Sequence, residues 1–297
     1  MNILSILNLV LSHPLNRSAP LAALSRFIRW QVASRLLPEA EFSLPFVNDS
    51  RLLVNRGMAG ATGNFYCGLF EVDEMGFVRH VLAPGDVFVD VGANIGSYTI
   101  LAAEVGARVI AVEPIPEAHA RLAANVRLNC MEAQVETHRC GVADAPGRLR
   151  FSVNLDTVNH VLSATEAGTA TEVEVVTLDS LLAEREPALI KIDVEGYELP
   201  VLRGAGKTLQ AASLLAVIVE TNDSGSRYGR SDAELYSFMQ AKGFDPYSYA
   251  ATARTFSRVE MPGKIPENTV FLKRDNLALT ESKVARAAET RLVNGAI

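Results

Sequence analysis

Cysteine is scarce. Cys67, Cys130 and Cys140 are the only three in 297 residues, and no two stand in C-x-x-C spacing. This excludes a disulfide framework and a thiolate zinc centre, so each is expected to be a small buried apolar residue. A basic excess is missing too: the formal charge is −6 and the isoelectric point near 5.5, which leaves no electrostatic footprint for nucleic acid and predicts no nucleic-acid partner. Long hydrophobic runs are also lacking. The apolar stretch from Met1 to Leu11 has no basic segment before it and is interrupted by Asn2, Ser5 and Asn8. That speaks against a signal peptide or a spanning helix and predicts a cytoplasmic location. Repeats and low-complexity segments are absent. What is there is 48% apolar residues, enough for the core of one large α/β domain with additions.

The chain is organised around the run from Val87 to Thr99. An apolar, β-branched segment bounded by Gly92 and Gly96 reads as a strand buried on both faces that ends in a tight turn, with a helix starting at Ser97. Glycines let a ligand approach the backbone, and a helix start presents unpaired N–H groups, so Gly92, Asn94, Gly96, Ser97 and Tyr98 are candidate cofactor contacts. A second strand, Arg108 to Val112, ends at Glu113, where a carboxylate can take two hydrogen bonds from a ribose diol. The dinucleotide fingerprint needs glycine at the middle position of the loop, and here that position is Asn94. Asp90 adds a carboxylate that repels phosphate but suits a ligand carrying a sulfonium and an ammonium. S-adenosylmethionine is such a ligand.

The segments Asp90–Gly96, Glu113–Pro114, Leu178–Leu182 and above all Lys191-Ile192-Asp193-Val194-Glu195-Gly196-Tyr197-Glu198 resemble the FkbM-type methyltransferases. The similarity covers roughly residues 84 to 250. It implies a Rossmann-like, doubly wound and mostly parallel sheet and an S-adenosylmethionine-dependent O-methyltransferase acting on hydroxyls of small molecules and sugars.

Taken in order, residues 1–84 form an N-terminal helical extension, 85–275 the methyltransferase domain and 276–297 a tail expected to be a loose helix or disordered. Within the extension, Leu21, Leu24, Ile28, Val32 and Leu36 recur at helical spacing, so Pro20 to Leu37 predicts an amphipathic helix packed on the domain or on a partner subunit. Trp30 with Arg26, Arg29 and Arg35 also suits an anionic membrane surface. Gly57 to Tyr66 reads as a glycine-dense loop, either a connector or a lid over the cofactor. Seven strands are expected in the core, Asp86–Val91, Ala107–Val112, Gln134–Arg139, Ala188–Ile192, Leu214–Glu220, Phe244–Tyr249 and Thr269–Lys273. Helices are expected at Ser97–Val105, Glu117–Asn129, Leu199–Gln210 and Asp232–Lys242. Gly141 to Val176 breaks the rhythm as an inserted hairpin and loop, whose residues between Leu155 and Thr171 are candidates for substrate selection.

Methyl transfer to an alcohol needs alignment and help in losing the hydroxyl proton, from a base or a divalent cation such as magnesium. Asp193 and Glu195 stand at the end of the fourth strand and are the candidate catalytic carboxylates. Lys191, in an otherwise apolar strand, needs an acidic partner among Asp193, Glu195 and Glu220. Asp193, Glu220 and Asn222 could supply oxygen ligands to a metal. His160 is a candidate base in the inserted loop, and Asp144 a candidate contact to the adenine amino group. The strand-end sequence Asp193-Val194-Glu195-Gly196 is not the D-P-P-Y type common in amine methyltransferases, so oxygen is the expected acceptor. The competing readings are a cofactor-binding scaffold without activity and an NAD-dependent dehydrogenase. Oligomeric state is left open.

Overall fold

The computed structural model describes residues 3–152, 159–162, 166, 169–260 and 266–297. The N-terminal extension contains α1 (Ile3–Ser12), α2 (Pro20–Leu36), a hairpin of β1 (Phe42–Pro45) and β2 (Arg51–Val54), then α3 (Ala59–Cys67) and α4 (Val72–Val81). The core strands are β3 (Val87–Val91), β4 (Arg108–Val112) and β5 (Val135–His138), and, after the insertion, β9 (Leu189–Ile192) and β10 (Ala216–Glu220). They are followed by β11 (Phe244–Ala250), β12 (Thr255–Arg258) and β13 (Asn268–Lys273). The insertion supplies β6 (Gly141–Val142), β7 (Gly147–Ser152) and β8 (Ala170–Val176), which make a separate sheet in the order β6-β8-β7.

The main sheet runs β12-β11-β13-β10-β9-β3-β4-β5. Its β5, β4, β3, β9 and β10 are parallel, and β13, β11 and β12 add on antiparallel. All seven expected strands are present, so the fold class stands as Rossmann-like, but the sheet has eight strands rather than seven. The eighth, Thr255–Arg258, is a short, largely exposed edge paired with β11, and its polar sequence carries no buried-strand signal. From β3 the chain winds outward to β4 and β5, then returns to place β9 on the other side of β3. Ligands bind at such a reversal, beyond the carboxyl ends of the strands.

Alternation along the central strands divides the core. Phe88 and Leu189 belong to one apolar cluster, while Val89, Val91, Ile190 and Ile192 belong to the other. The position after Phe88 and Val89 on that first face is Asp90, and in the β3–β9 register its partner is Lys191. Two charged residues thus sit side by side within otherwise apolar strands, 1% and 3% exposed. They are tolerated because Lys191 pairs with Asp193 just beyond its strand and Asp90 accepts from Thr99 of the helix that follows β3.

Several expectations are corrected. Gly57–Tyr66 is not a loop: α3 covers most of it, and a Cβ at Gly63 would run into the Phe70 ring, so glycine here permits close packing rather than flexibility. The helix expected over Leu199–Gln210 is instead α8 (Glu198–Arg203) and a separate 3-10 turn at Thr208–Gln210. Gly204 marks the break, where a side chain would strike the Ala143 carbonyl. On α2 the buried side is Ala23, Arg26, Phe27, Trp30 and Ser34, whereas Leu21, Ile28, Val32 and Leu36 face outward. The pattern identified the helix and inverted its faces, because Phe27 and Trp30 bury more apolar area than the aliphatic row. Arg26 is buried because it donates to Asn16 Oδ1 (2.8 Å) and to the Tyr66 carbonyl (3.0 Å). Of the cysteines only Cys67 is buried; Cys130 is exposed and Cys140 half-buried.

The tail is not loose. It forms α10 (Leu277–Arg286) and a terminal hairpin of β14 (Arg291–Leu292) and β15 (Gly295–Ala296), with Thr290 and Ile297 buried. Asn294 Nδ2 donates to Cys67 O (2.6 Å) and to Asn16 Oδ1 (3.0 Å), tying the end of the chain to its beginning.

Candidate active site

Beyond the carboxyl ends of β3, β4, β9 and β10 lies a cavity of about 310 Å³. Its floor is the loop after β3. Gly92 has φ +81°, and a Cβ there would collide with the carbonyl oxygen of Asp193, so the first strand end presses directly on the fourth. Gly96, at φ +93° in the left-handed region, opens α5 (Ser97–Glu104); a side chain there would come within 2.6 Å of Leu122. Asn94 is also left-handed, at φ +50°, and its N–H donates to Glu113 Oε2 (2.8 Å). Asparagine tolerates that conformation better than most residues.

Glu113 Oε1 accepts from the Ile115 N–H (2.9 Å), so the carboxylate at the tip of β4 is fixed by two backbone donors and faces the cavity. Burial pushes its carboxyl up to about 7, with those two donors working in the opposite direction. Asp90 Oδ2 accepts from Thr99 Oγ1 (2.7 Å), while its Oδ1 is buried with no hydrogen-bond partner among the described residues. Burial raises the Asp90 carboxyl, opposed by the charge of Lys191. Ser97 and Tyr98 line the cavity too. The Tyr98 hydroxyl donates to Glu71 Oε2 (2.8 Å), and the Tyr98 ring lies 4.5 Å from Lys191 Nζ.

Lys191 Nζ donates to Asp193 Oδ2 at 2.7 Å. Burial alone would lower its ammonium, but Asp193, Glu71 and Asp90 outweigh that and hold it above the usual lysine range. The partner that sequence demands for this lysine is therefore Asp193, with Asp90 and Glu71 close enough to matter. Glu195 has φ +55°, an uncommon conformation for a residue of its type. Gly196 beside it (φ +100°) leaves no room for a side chain against Ser224 O. Glu198 Oε1 accepts from the N–H groups of Gly196 (2.9 Å) and Val194 (3.2 Å) and so locks this turn. Burial and the neighbouring Asp193 push the Glu195 carboxyl up to about 7. Burial together with Asp193 and Glu195 pushes Glu220 up to about 9. One oxygen each of Asp193, Glu195 and Glu220 lie within 4.8 Å of one another, and all three residues are half-buried.

The remaining candidates lie elsewhere. Asn222 is exposed; its Nδ2 donates to Glu220 Oε1 (2.9 Å) and its Oδ1 accepts from the Ser224 N–H (3.0 Å), so both ends are engaged outside the cavity lining. The third carboxylate grouped with Asp193 and Glu220 is Glu195. Asp144 is exposed and does not line the cavity. His160 is buried beneath the inserted sheet, its Nε2 3.0 Å from Glu166 Oε1 and its N–H donating to Ser152 Oγ (2.9 Å); its neighbour Asn159 reaches the lining. Much of the candidate substrate-selecting stretch, namely residues 155–158, 163–165 and 167–168, lies outside the described residues.

A lid was among the expectations for Gly57–Tyr66, but Phe70, Glu71 and Phe151 were not foreseen. Met58, Gly60, Asn64, Phe70 and Glu71, all from the extension, line the cavity with Phe151 of the insertion. Asn64 Oδ1 accepts from the Phe70 N–H (2.8 Å), which fixes the turn from α3 into Glu71. The available signal was weak: Glu71 follows the apolar Leu69-Phe70, but Asp73 and Glu74 stand close behind it.

Fold and site together define a doubly wound α/β domain with a crevice beyond the carboxyl ends of its central strands and an acidic far wall. The Methyltransferase FkbM domain family matches residues 90–246. The chain belongs to that family. It is 31% identical over 135 residues to hexuronic acid methyltransferase AglP of Haloferax volcanii, a match covering 44% of this chain and 55% of AglP. It is 29% identical over 206 residues to 31-O-demethyl-FK506 methyltransferase FkbM of Streptomyces tacrolimicus, covering 57% and 76%. The chain thus spans little more than half the length of AglP. A crystal structure of methyltransferase FkbM from Methylobacillus flagellatus aligns over 83% of this chain and 60% of its own, with 16% identity and a TM-score of 0.44.

Proposed function

We propose that this protein is an S-adenosylmethionine-dependent O-methyltransferase whose acceptor is a hydroxyl of a small molecule or sugar. The observation that carries the reading is the pairing, in one cavity, of a backbone-fixed carboxylate at the tip of β4 with a cluster of three carboxylates at the ends of β9 and β10 that has the one ammonium of Lys191 beside it. The residues fit the cofactor. Glu113 is placed to accept from a ribose diol, the unpartnered Oδ1 of Asp90 suits the ammonium of a methionine moiety, and Gly92 and Gly96 leave the loop without side chains. When bound, S-adenosylmethionine supplies an activated methyl group on a positive sulfur.

The chain's own residues prepare the acceptor. Among the described residues six carboxylates line the cavity, Glu71, Asp90, Glu113, Asp193, Glu195 and Glu220, against the one ammonium of Lys191. Such a wall repels phosphate and favours polyhydroxylated ligands that donate hydrogen bonds, which argues against a nucleic-acid substrate. Asp193, Glu195 and Glu220 offer oxygens at a separation that suits a divalent cation such as magnesium, and Lys191 orients Asp193. A cation there would lower the pKa of the acceptor hydroxyl.

Isothermal calorimetry with S-adenosylmethionine, with and without magnesium, tests the reading. Expected is cofactor binding that Glu113→Ala weakens by about 100-fold, and formation of S-adenosylhomocysteine with a uronic-acid or macrolide-type hydroxyl. Absence of cofactor binding by the wild type, or NADH binding in the same crevice, sinks it.

A further inference from the structure

All 34 acidic residues lie from Glu39 onward, while the first 38 residues carry Arg17, Arg26, Arg29 and Arg35 and no acid. A chain of net charge −6 thus opens on a wholly basic unit, and that unit is α1 and α2. On α2, Leu21, Ile28, Val32 and Leu36 are 80%, 50%, 51% and 74% exposed, whereas isolated exposed side chains of this size need no explanation. At 3.6 residues per turn these four share an arc of about 80°, with Arg29 and Arg35 at its two edges and the buried residues Phe27, Trp30 and Ser34 opposite. An apolar ridge flanked on both sides by arginine is the arrangement of a helix lying in a lipid interface, its guanidinium groups reaching up to the headgroups. No helix of the described residues is long and apolar enough to cross a membrane.

We propose that the α1–α2 unit docks the protein on an anionic lipid surface, with Leu21, Ile28, Val32 and Leu36 entering the interface. Charge selects this occupant over a second copy of the chain. A two-fold contact centred on this ridge would set Arg29 and Arg35 of one copy against those of the other, with no acid in the unit to pair them. An anionic bilayer supplies the missing counter-charge across the whole ridge. The surface is also joined to the cavity. Arg26 of α2 grips the Tyr66 carbonyl and Gln31 the Tyr66 hydroxyl (3.0 Å), and Tyr66 belongs to α3, whose other residues roof the cavity. The docking inference stands apart from the reading of the activity, since it rests on other residues and its test involves no turnover.

Flotation of the full chain with phosphatidylcholine vesicles, alone or with about one third phosphatidylglycerol, measures it. Expected is binding to the anionic vesicles only, weakened by salt. Arg29→Gln with Arg35→Gln should lower partitioning by about 25-fold, at roughly fivefold per arginine, and Ile28→Ser with Val32→Ser by about tenfold. Because all four side chains are exposed, melting temperatures should stay unchanged, which separates lost docking from misfolding. Equal binding to both vesicle types, no binding to either, or indifference to both double variants overturns the proposal. So does light scattering that shows a dimer dispersed by Ile28→Ser.

Discussion

On the β3–β4 side of the cavity a buried carboxylate is fully furnished: Glu113 has a backbone N–H on each oxygen before any ligand arrives. On the β9–β10 side the reverse holds, because Glu220 keeps Oε2 without a partner among the described residues and faces two further carboxylates. Glu113 is therefore finished and Glu220 unfinished, and Asp90 Oδ1 is the one buried carboxylate oxygen left open on the first wall among the described residues. A finished wall is preorganised for one ligand, since its donors are spent on holding the acceptor atoms in place. The unfinished wall carries a standing penalty of burial and like charge, which a cation or a hydroxyl-rich acceptor would relieve. That difference is the ground on which we propose the cofactor for one side and the acceptor for the other.

The sharpest way to break the comparison is to move the two walls apart. Gly92→Ala would place a methyl group on the Asp193 carbonyl while forcing φ +81° on an alanine. We expect loss of cofactor binding by more than about 100-fold and destabilisation of about 3 kcal/mol, combining overpacking with backbone strain. Gly85→Ala is the control: its φ is +88°, but nothing lies within 4 Å of the added carbon. It should cost about 1 kcal/mol in denaturant unfolding and leave cofactor binding intact. Equal effects of the two substitutions would show that the walls do not meet at Gly92.

The finished wall was the legible one. Gly92, Asn94, Gly96 and Glu113 act largely through backbone conformation and a strand tip, and both leave a local mark in sequence as glycines and a carboxylate at fixed spacing. The partnership of Lys191 with Asp193 was also foreseeable, since a buried ammonium must be paired. The roof was legible only in its position, as a lid at Gly57–Tyr66, and not as a helix. Met58, Asn64 and Glu71 reach the cavity through helix packing across long sequence separations, and Gly63 resembles a loop residue until Phe70 is seen against it. The surroundings of Asn222 were illegible for a similar reason: its own turn engages both of its polar atoms. On α2, periodicity fixed the helix, but which face turns inward was decided by Phe27, Trp30 and the Arg26–Asn16 bond.

Next in size is a pair of substitutions that tests the division of labour. Glu113→Ala removes the acceptor for the ribose and frees two backbone donors, at about 1.5–3 kcal/mol for each hydrogen bond to a charge. Cofactor affinity should fall by about 100-fold, whereas Glu220→Gln should change it by less than about threefold, both read by calorimetry. A smaller effect comes from pH. Burial holds Glu113 up at about 7, and the charged form is the better acceptor for the diol, so affinity should rise as pH passes upward through 7. At pH 6 about one tenth of the molecules carry that charge, giving binding about tenfold weaker than at pH 8. Binding that is flat across this range would mean the carboxylate does not meet the cofactor.

The smallest effect concerns stability and the unfinished wall. In the unfolded chain Glu220 ionises near the ordinary value of 4.5, but in the fold burial, Asp193 and Glu195 push it up to about 9. Between those values the folded state binds the extra proton, so its stability is greatest at low pH and declines as pH rises through the window. Glu220→Gln removes that decline at this position, because an amide has no charge to lose. At pH 8 the variant should therefore melt above the wild type, by about 3–6 °C for a gain of about 1–2 kcal/mol. At pH 4 the two should coincide, both side chains being neutral in either state. Magnesium should reverse the order at pH 8 if the three carboxylates bind it, raising the wild type and leaving the variant where it was. A variant that is less stable than the wild type at pH 8 without metal would mean that Glu220 is already satisfied, and the contrast between the two walls would disappear.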